Sequence, residues 1–334
     1  MATFSRVLGI DLGTMYIRIV EGGEVVLQEP TVVAVDINEQ KIVAVGEEAL
    51  GMVGRVSQDT IEVTRPLQHG VVAYYELTER LLNHLVRKIG GSMRLFKPRI
   101  LISHPYGITS VERRAVHEAA LQVGDAHLIP QPLAASLGID LPVGTPTGNM
   151  IICLGGGCSQ AAVISMHDVV SGETLRLGGM DLDEAIVNYV RRKYGLFIGQ
   201  RTAEQVKLRI GAALPLDENQ SMELQGQDQI SGLPRPLTLT TEEIAEAVQD
   251  PLDEIFGMIQ RVLEKTPPEL ASDIIDRGVA ICGGAGMLRG LDRLLTQKLG
   301  VPAYLVDNPT NSIALGALEA ASIYHLLERY LPQY

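Results

Sequence analysis

The 334-residue sequence predicts an α/β fold with partly parallel sheets, arranged as two similar lobes around a cleft. Three observations carry that prediction. Strand-like and helix-like stretches alternate along most of the chain, and the helices are bracketed by start and stop residues. A glycine turn, Ile10-Asp-Leu-Gly-Thr14, returns in altered form as Ile152-Cys-Leu-Gly-Gly156, each copy lying between two strand-like runs. Hydrophobic residues make up 46% of the chain and charged residues 20%, too apolar for a disordered or coiled-coil chain. The length suits about two domains, each large enough to bury its own core.

The first copy of the turn is followed by Tyr16-Ile-Arg-Ile-Val20, which makes a β-hairpin whose turn exposes backbone N–H groups. A helix runs from Tyr75 to Lys88. The segment from Gly90 to Arg99 reads as a surface loop from its glycines and Pro98. Its tip carries Met93, Leu95 and Phe96 interleaved with Arg94, Lys97 and Arg99, an apolar and basic mixture suited to an anionic membrane surface. Arg99–His104 is a β-branched strand ending before Pro105, and His104 reads as a satisfied core histidine. Thr109 and Glu112 form a capping box, and Gly124 stops the helix they open. Similar boxes are expected at Thr202 with Gln205 and at Thr240 with Glu243. The second hairpin continues into Gln160–Ser165. Arg191-Arg-Lys193 reads as a solvated helix face. Gly278–Cys282 is a strand that passes through Gly283-Gly-Ala-Gly286 into a helix over Met287–Leu299, stopped by Gly300. Ile313, Ala317, Ala321 and Tyr324 recur at helical spacing, a core-packing face.

Several classes are excluded. Lys plus Arg total 28 against 40 for Asp plus Glu, a net charge of −12 that argues against duplex binding and leaves no nucleic-acid partner expected. The three cysteines, Cys153, Cys158 and Cys282, are too few and scattered for a disulfide framework and lack zinc-ligand spacing. They read as small packing residues. No signal peptide or bilayer-spanning run is apparent, so a cytoplasmic location is expected.

The chemistry gathers at the glycine turns. Gly13-Thr14 and Gly155-Gly156-Gly157 allow backbone to approach phosphate oxygens, and a helix opened by Gly283–Gly286 would face negative charge. Glu204 and Lys207, three apart on one helix face, suit ribose hydroxyls and a purine.

In these residues the chain resembles the MreB branch of the actin, sugar-kinase and heat-shock-chaperone ATPase superfamily. The matching stretches are Gly9-Ile-Asp-Leu-Gly-Thr14, Gln28-Glu-Pro-Thr-Val-Val33, Gly107-Ile-Thr-Ser-Val-Glu-Arg-Arg-Ala115, Gly199-Gln-Arg-Thr-Ala-Glu204, Glu264-Lys-Thr-Pro-Pro-Glu-Leu270 and Leu288-Arg-Gly-Leu-Asp292. The resemblance implies an actin-like fold with a ribonuclease H-like duplication and ATP or ADP between the lobes. It also implies head-to-tail filaments at the inner face of the cytoplasmic membrane that organise cell-wall synthesis and rod shape. Phosphates would lie on Gly13, Thr14, Met15 and Tyr16, on Gly155 through Cys158, and on Gly284, Ala285, Gly286 and Met287. Glu204, Gln205, Val206 and Lys207 would hold the adenosine, and Asp11 would hold hydrated Mg²⁺. Lobe one is expected over 1–32, 64–147 and 313–334 with an insertion over 33–63; lobe two over 148–182 and 246–312 with an insertion over 183–245.

Departures from the family pattern fall at the chemistry. A turn that usually reads Asp-Ile-Gly-Gly-Gly-Thr-Thr-Glu is Cys153-Leu-Gly-Gly-Gly157-Cys158-Ser159-Gln160 here, and a Glu-Glu-Pro helix start is Pro130-Gln131-Pro132. Met15 and Tyr16 replace Ala and Asn, and Ala285 stands where a glycine is usual. Cys153 is a poor partner for magnesium, leaving a weakened metal site, and the Gln131 amide orients water without accepting its proton. Slow or lost hydrolysis is expected. The alternatives are a nucleotide-independent paralogue that co-polymerises with an active MreB, and a sugar-kinase-like phosphotransferase.

Overall fold

A computed structural model describes residues 6–57, 59–90 and 97–331. Met93, Leu95 and Phe96 lie outside the described residues.

Two five-stranded sheets form the two lobes, and their topologies are the same. In the first, Val7–Leu12 pairs antiparallel with Tyr16–Glu21, which pairs antiparallel with Glu24–Pro30. On its other side Val7–Leu12 pairs parallel with Arg99–His104, and that strand with Asp125–Pro130. In the second, Asn149–Leu154 plays the part of the first strand. It is antiparallel to Ser159–Ser165, which pairs with Asp168–Leu175. It is parallel to Val279–Cys282, which continues to Ala303–Leu305. The sequence echo at the glycine turns is therefore the visible trace of a repeated three-strand meander with two parallel strands added. The central strands read as continuous apolar runs because both of their faces are covered; every residue of Asn149–Leu154 and Ser159–Ser165 is buried.

A third core lies between the lobes. Leu101, Ile129 and Leu133 from the first meet Ile151, Ile164, Ala280 and Cys282 from the second. Ser312–Ser322 closes this region, with Ala317 fully buried and Ile313, Ala321 and Tyr324 packed around it, so the predicted helical stripe is a core face. Glycines set how closely this helix approaches Gln131–Gly138 and the first strand. A Cβ at Gly316 would stand 1.6 Å from the Ala134 carbonyl oxygen, and one at Gly138 would stand 2.0 Å from that of Ser312.

Two three-stranded sheets are inserted. Val33–Asp36, Lys41–Val45 and Ile61–Thr64 pack with helix Gly46–Met52 on a small core of Val32, Ala34, Ala44 and Ala49. Leu196–Phe197, Ser221–Asp228 and Pro234–Thr240 form the other.

The capping boxes at Thr109 and Thr240 are present with both reciprocal bonds. The one expected at Thr202 is not. Helix Gln200–Ile210 starts three residues earlier with extended Gly199 as its cap, and the Thr202 amide donates to the Gly199 carbonyl at 3.0 Å. The helix expected over Met287–Leu299 is also corrected. A single 3₁₀ turn, Ala285–Met287, is broken by extended Leu288 and left-handed Gly290, and the α-helix begins only at Leu291. The third glycine turn thus offers no helix N-terminus. His104 is buried but only half satisfied: Nδ1 lies 2.8 Å from the Pro105 carbonyl, while Nε2 has no partner among the described residues. Burial pushes its imidazole down to about 4. Arg191, Arg192 and Lys193 are exposed, as a solvated face requires.

Candidate functional site: the cavity between the lobes

A cavity of about 350 Å³ opens between the sheets, within the range of small-molecule sites. Its walls bring together segments far apart in the chain. Gly13, Thr14, Met15 and Tyr16 come from the first hairpin and Gly155, Gly156, Gly157 and Cys158 from the second. Gly284, Ala285 and Met287 border it from the 3₁₀ turn, and Glu204 and Lys207 from helix Gln200–Ile210. The helical period separates the other adenosine candidates from the cavity. Gln205 points to solvent and Val206 is fully buried in the second-lobe core, while Gly286 is packed below the wall.

Each turn is held by its own lobe. Arg65 Nη1 donates to the carbonyls of Thr14 and Met15 at 3.3 Å, and Thr31 Oγ1 donates to that of Gly13 at 2.7 Å. In the second hairpin the Gly155 amide donates to the Cys158 carbonyl at 2.9 Å, and the Gly179 and Met180 amides donate to the Gly155 and Gly156 carbonyls. The two turns also touch each other. A Cβ on Gly156 would lie 2.1 Å from Met15 Cγ, and one on Gly157 would lie 2.4 Å from Thr14 Oγ1. Glycine is required at these positions by close approach rather than by backbone dihedrals.

Beneath the turns runs a buried polar chain that crosses the cleft. Asp11 Oδ1 accepts from Ser103 Oγ at 2.9 Å and from Gln131 Nε2 at 3.4 Å. The Gln131 carbonyl accepts from Gln160 Nε2 at 2.6 Å, and Gln160 Oε1 accepts from the Tyr106 amide at 2.8 Å. Arg18 Nη1 stands 3.9 Å from Asp11 Oδ2. Burial raises the Asp11 carboxyl above the usual carboxylate range, opposed by Arg18, Ser103 and Gln131. Gln131 is thus engaged at both ends of its amide.

The cysteines are free and buried. Cys153 and Cys282 are register partners on adjacent parallel strands with sulfurs 3.2 Å apart. The Cys282 thiol and burial together hold the Cys153 thiol well above its ordinary value, and burial pushes Cys158 up to about 12. Both line the cavity as neutral thiols.

On the far wall Lys207 Nζ lies 2.7 Å from Asp183 Oδ1 and donates to the Gly179 carbonyl at 2.6 Å. Burial pushes the Asp183 carboxyl up to about 6, with Lys207 opposing. The Lys207 ammonium is therefore committed to its own lobe, while Glu204 faces Tyr16 across the cleft and, after burial, raises its phenol.

Arg18, Ser103, Gln160 and Asp183 were not singled out as site residues from the sequence. Strand alternation held a signal for one of them: Tyr16 and Arg18 share a face opposite Ile17 and Ile19, so a charged residue inside an apolar hairpin faces the cavity. Ser103, Gln160 and Asp183 carry no such local mark.

Among the described residues no cluster of three or more His, Cys, Asp or Glu side chains could hold a metal ion, and no helix is long and apolar enough to cross a membrane.

Comparison with known proteins places this architecture. The chain is 43% identical over 316 residues to the cell shape-determining protein Mbl of Bacillus subtilis strain 168, covering 94% of this chain and 95% of Mbl. It is 43% identical over 325 residues to the cell shape-determining protein MreB of Escherichia coli K12, covering 95% and 93%. The crystal structure of MreB5 of Spiroplasma citri bound to ADP superposes with a TM-score of 0.91 at 30% identity, over 96% of this chain and 97% of that one. The two-lobed fold is accordingly actin-like. The family model described as MreB/Mbl protein matches residues 5–329, and with these relatives it shows that the chain belongs to the MreB/Mbl family.

Proposed function

We propose that this protein is a cytoskeletal filament subunit in which adenine nucleotide, bound between the lobes, acts as a conformational ligand. The observation that carries the reading is the cavity itself. Both glycine turns, Gly284 and Ala285, and the Glu204–Lys207 helix line one space between the two lobes. The phosphates would lie on the turns at 13–16 and 155–158 and beside 284–287, with the adenosine toward Glu204 and Lys207. A ligand spanning both lobes shifts the lobe equilibrium by the difference in its affinity for the closed and open states, and that shift is the means of coupling to assembly. The relative MreB5 carries ADP in its crystal structure.

Hydrolysis is slow or lost in this reading. Gln131 cannot take a proton from an attacking water, and its amide is already bonded to Asp11, Ser103 and Gln160. Subunits add head to tail through a heterologous contact that does not close, with themselves or with a second MreB paralogue. The filament lies at the inner face of the cytoplasmic membrane and serves the cell-wall synthesis machinery. Weak attachment of each subunit by Met93, Leu95 and Phe96 would be multiplied along it.

The test is purified protein titrated with ADP by calorimetry, then incubated with ATP and followed by phosphate release, pelleting and electron microscopy. Nucleotide binding, filaments and phosphate release near background are expected. Absence of nucleotide binding would refute the conformational-ligand reading, and rapid phosphate release would refute the hydrolytic defect.

A further inference from the structure

The actin-like superfamily implies a hydrated magnesium ion beside the nucleotide phosphates, and the donor set beneath the turns does not fit one. Mg²⁺ keeps most of its waters and is held by carboxylates that bond those waters or replace them. Among the described residues, Asp11 is the only carboxylate lining the cavity beneath the two glycine turns; Asp183 and Glu204 line the opposite wall. Its Oδ1 already accepts from Ser103 and Gln131, and its Oδ2 faces the Arg18 guanidinium. The other groups that border this end from below are the neutral side chains of Gln131, Cys153, Cys158 and Gln160. A thiol whose proton is held by burial and by a second thiol is no ligand for a hard cation. Bringing a divalent ion here would also place it against a guanidinium, a like-charge contact in a buried setting.

Arg18 is built to do something else. Its side chain is only 12% exposed, yet it lines the cavity. The guanidinium is anchored from behind: Nε donates to Gln28 Oε1 at 3.1 Å, and the group lies 5.4 Å from the centre of the Tyr16 ring. At 3.9 Å its Nη1 is beyond hydrogen-bond range of Asp11. Among the described residues neither Nη atom has a hydrogen bond, so both terminal nitrogens keep their donors for an occupant of the cavity. A planar guanidinium offers paired donors that match two phosphate oxygens. Lys207, the other cation on the wall, is already paired with Asp183.

We propose that this protein holds nucleotide phosphates without a divalent metal, the Arg18 guanidinium supplying the charge that magnesium would otherwise supply. The inference rests on adenine nucleotide binding in the interlobe cavity, and it names the residue that meets the phosphates there. It also gives the substituted positions a common cause. Where an arginine neutralises the phosphates, carboxylates at positions 153, 131 and 160 would only repel them, and a thiol and two amides stand there instead.

The experiment is calorimetric titration of ADP into the full chain in excess EDTA and in excess magnesium chloride. Dissociation constants agreeing within about threefold in the two buffers are expected, since no bound metal contributes. Arg18→Gln should weaken ADP binding about tenfold or more in both buffers, and Arg18→Lys should recover part of that loss. Binding weaker by about tenfold or more in EDTA than in magnesium would overturn the inference while leaving the nucleotide site intact. Undiminished ADP affinity in folded Arg18→Gln would overturn it too. No binding in either buffer would instead remove the nucleotide reading on which it stands. The comparison of buffers uses the unaltered protein, so it decides the question even if the variants do not fold.

Discussion

Replacing Lys207 by Met should destabilise the protein in a pH-dependent way, because it leaves Asp183 buried without its ammonium partner. Met retains the apolar stem, so the change isolates the charge and the bond to Gly179. In the parent protein the Asp183 carboxyl stands at about 6 against an ordinary 3.8, with burial the larger cause and Lys207 opposing. A carboxyl raised in the folded state binds its proton more tightly there than in the unfolded chain. Its contribution is most favourable below 3.8 and is lost as pH rises through about 6. At 1.36 kcal/mol for each tenfold change, that loss is about 3 kcal/mol at neutral pH. Without Lys207 the carboxyl rises further, and at about pH 7.5 the loss has an upper bound of about 5 kcal/mol, reached if the group stays fully protonated. The substitution therefore adds up to about 2 kcal/mol through Asp183 and about 1 kcal/mol through the lost bond to the Gly179 carbonyl. At about pH 5 the Asp183 part vanishes, since the folded carboxyl is already protonated in both proteins, and about 1 kcal/mol remains. Urea unfolding of parent and variant at the two pH values, without nucleotide, measures the difference. An equal loss of stability at both would refute the claim that this buried pair sets the Asp183 carboxyl.

Two further outcomes are expected. Gly316→Ala should lower stability by about 3 kcal/mol and the thermal midpoint by about 4 °C, since its Cβ would meet the fixed Ala134 backbone. Gly284→Ala, whose Cβ meets nothing within 4 Å, should leave the melting curve unchanged, and a reversal of that order would sink the close-approach argument. The imidazole of His104 should remain neutral until about 4, so stability should fall by about 3 kcal/mol as pH drops from 6.5 through that value. A histidine resonance assigned to His104 that titrates near its ordinary 6.5 would contradict this.

Much of the site was legible because its parts are local. A glycine turn between two apolar runs reads as a hairpin wherever it occurs, and both turns line the cavity. Helical spacing puts Glu204 and Lys207 on one face, which lines the cavity, and turns Gln205 to solvent and Val206 to the core. The third turn misled because a run of glycines followed by Met287 looks like a helix start. The left-handed backbone at Gly290 and the extended Leu288 delay the helix until Leu291. Thr202 differs for a related reason: a threonine three residues before a glutamine makes a box only where the helix has not already begun, and here Gly199 caps it three residues earlier.

The sequence alone determined the α/β class, the duplicated hairpins, the capped helices at Thr109 and Thr240 and the family, because propensity, alternation and capping act over a few residues. It also showed that carboxylates are missing at the chemistry. Only the tertiary structure decided what those absences mean. Asp11 is spent on Ser103 and Gln131 and faces Arg18 at 3.9 Å, and Gln131 is spent on Gln160 across the cleft. Lys207 is spent on Asp183. Residues 120 apart in the chain meet at Asp11 and Gln131 because Arg99–His104 pairs in parallel with both Val7–Leu12 and Asp125–Pro130, which brings the ends of those strands together. No local pattern encodes that contact, because burial and partner are set by the pairing of strands distant in sequence within the first-lobe sheet and not by neighbours in sequence.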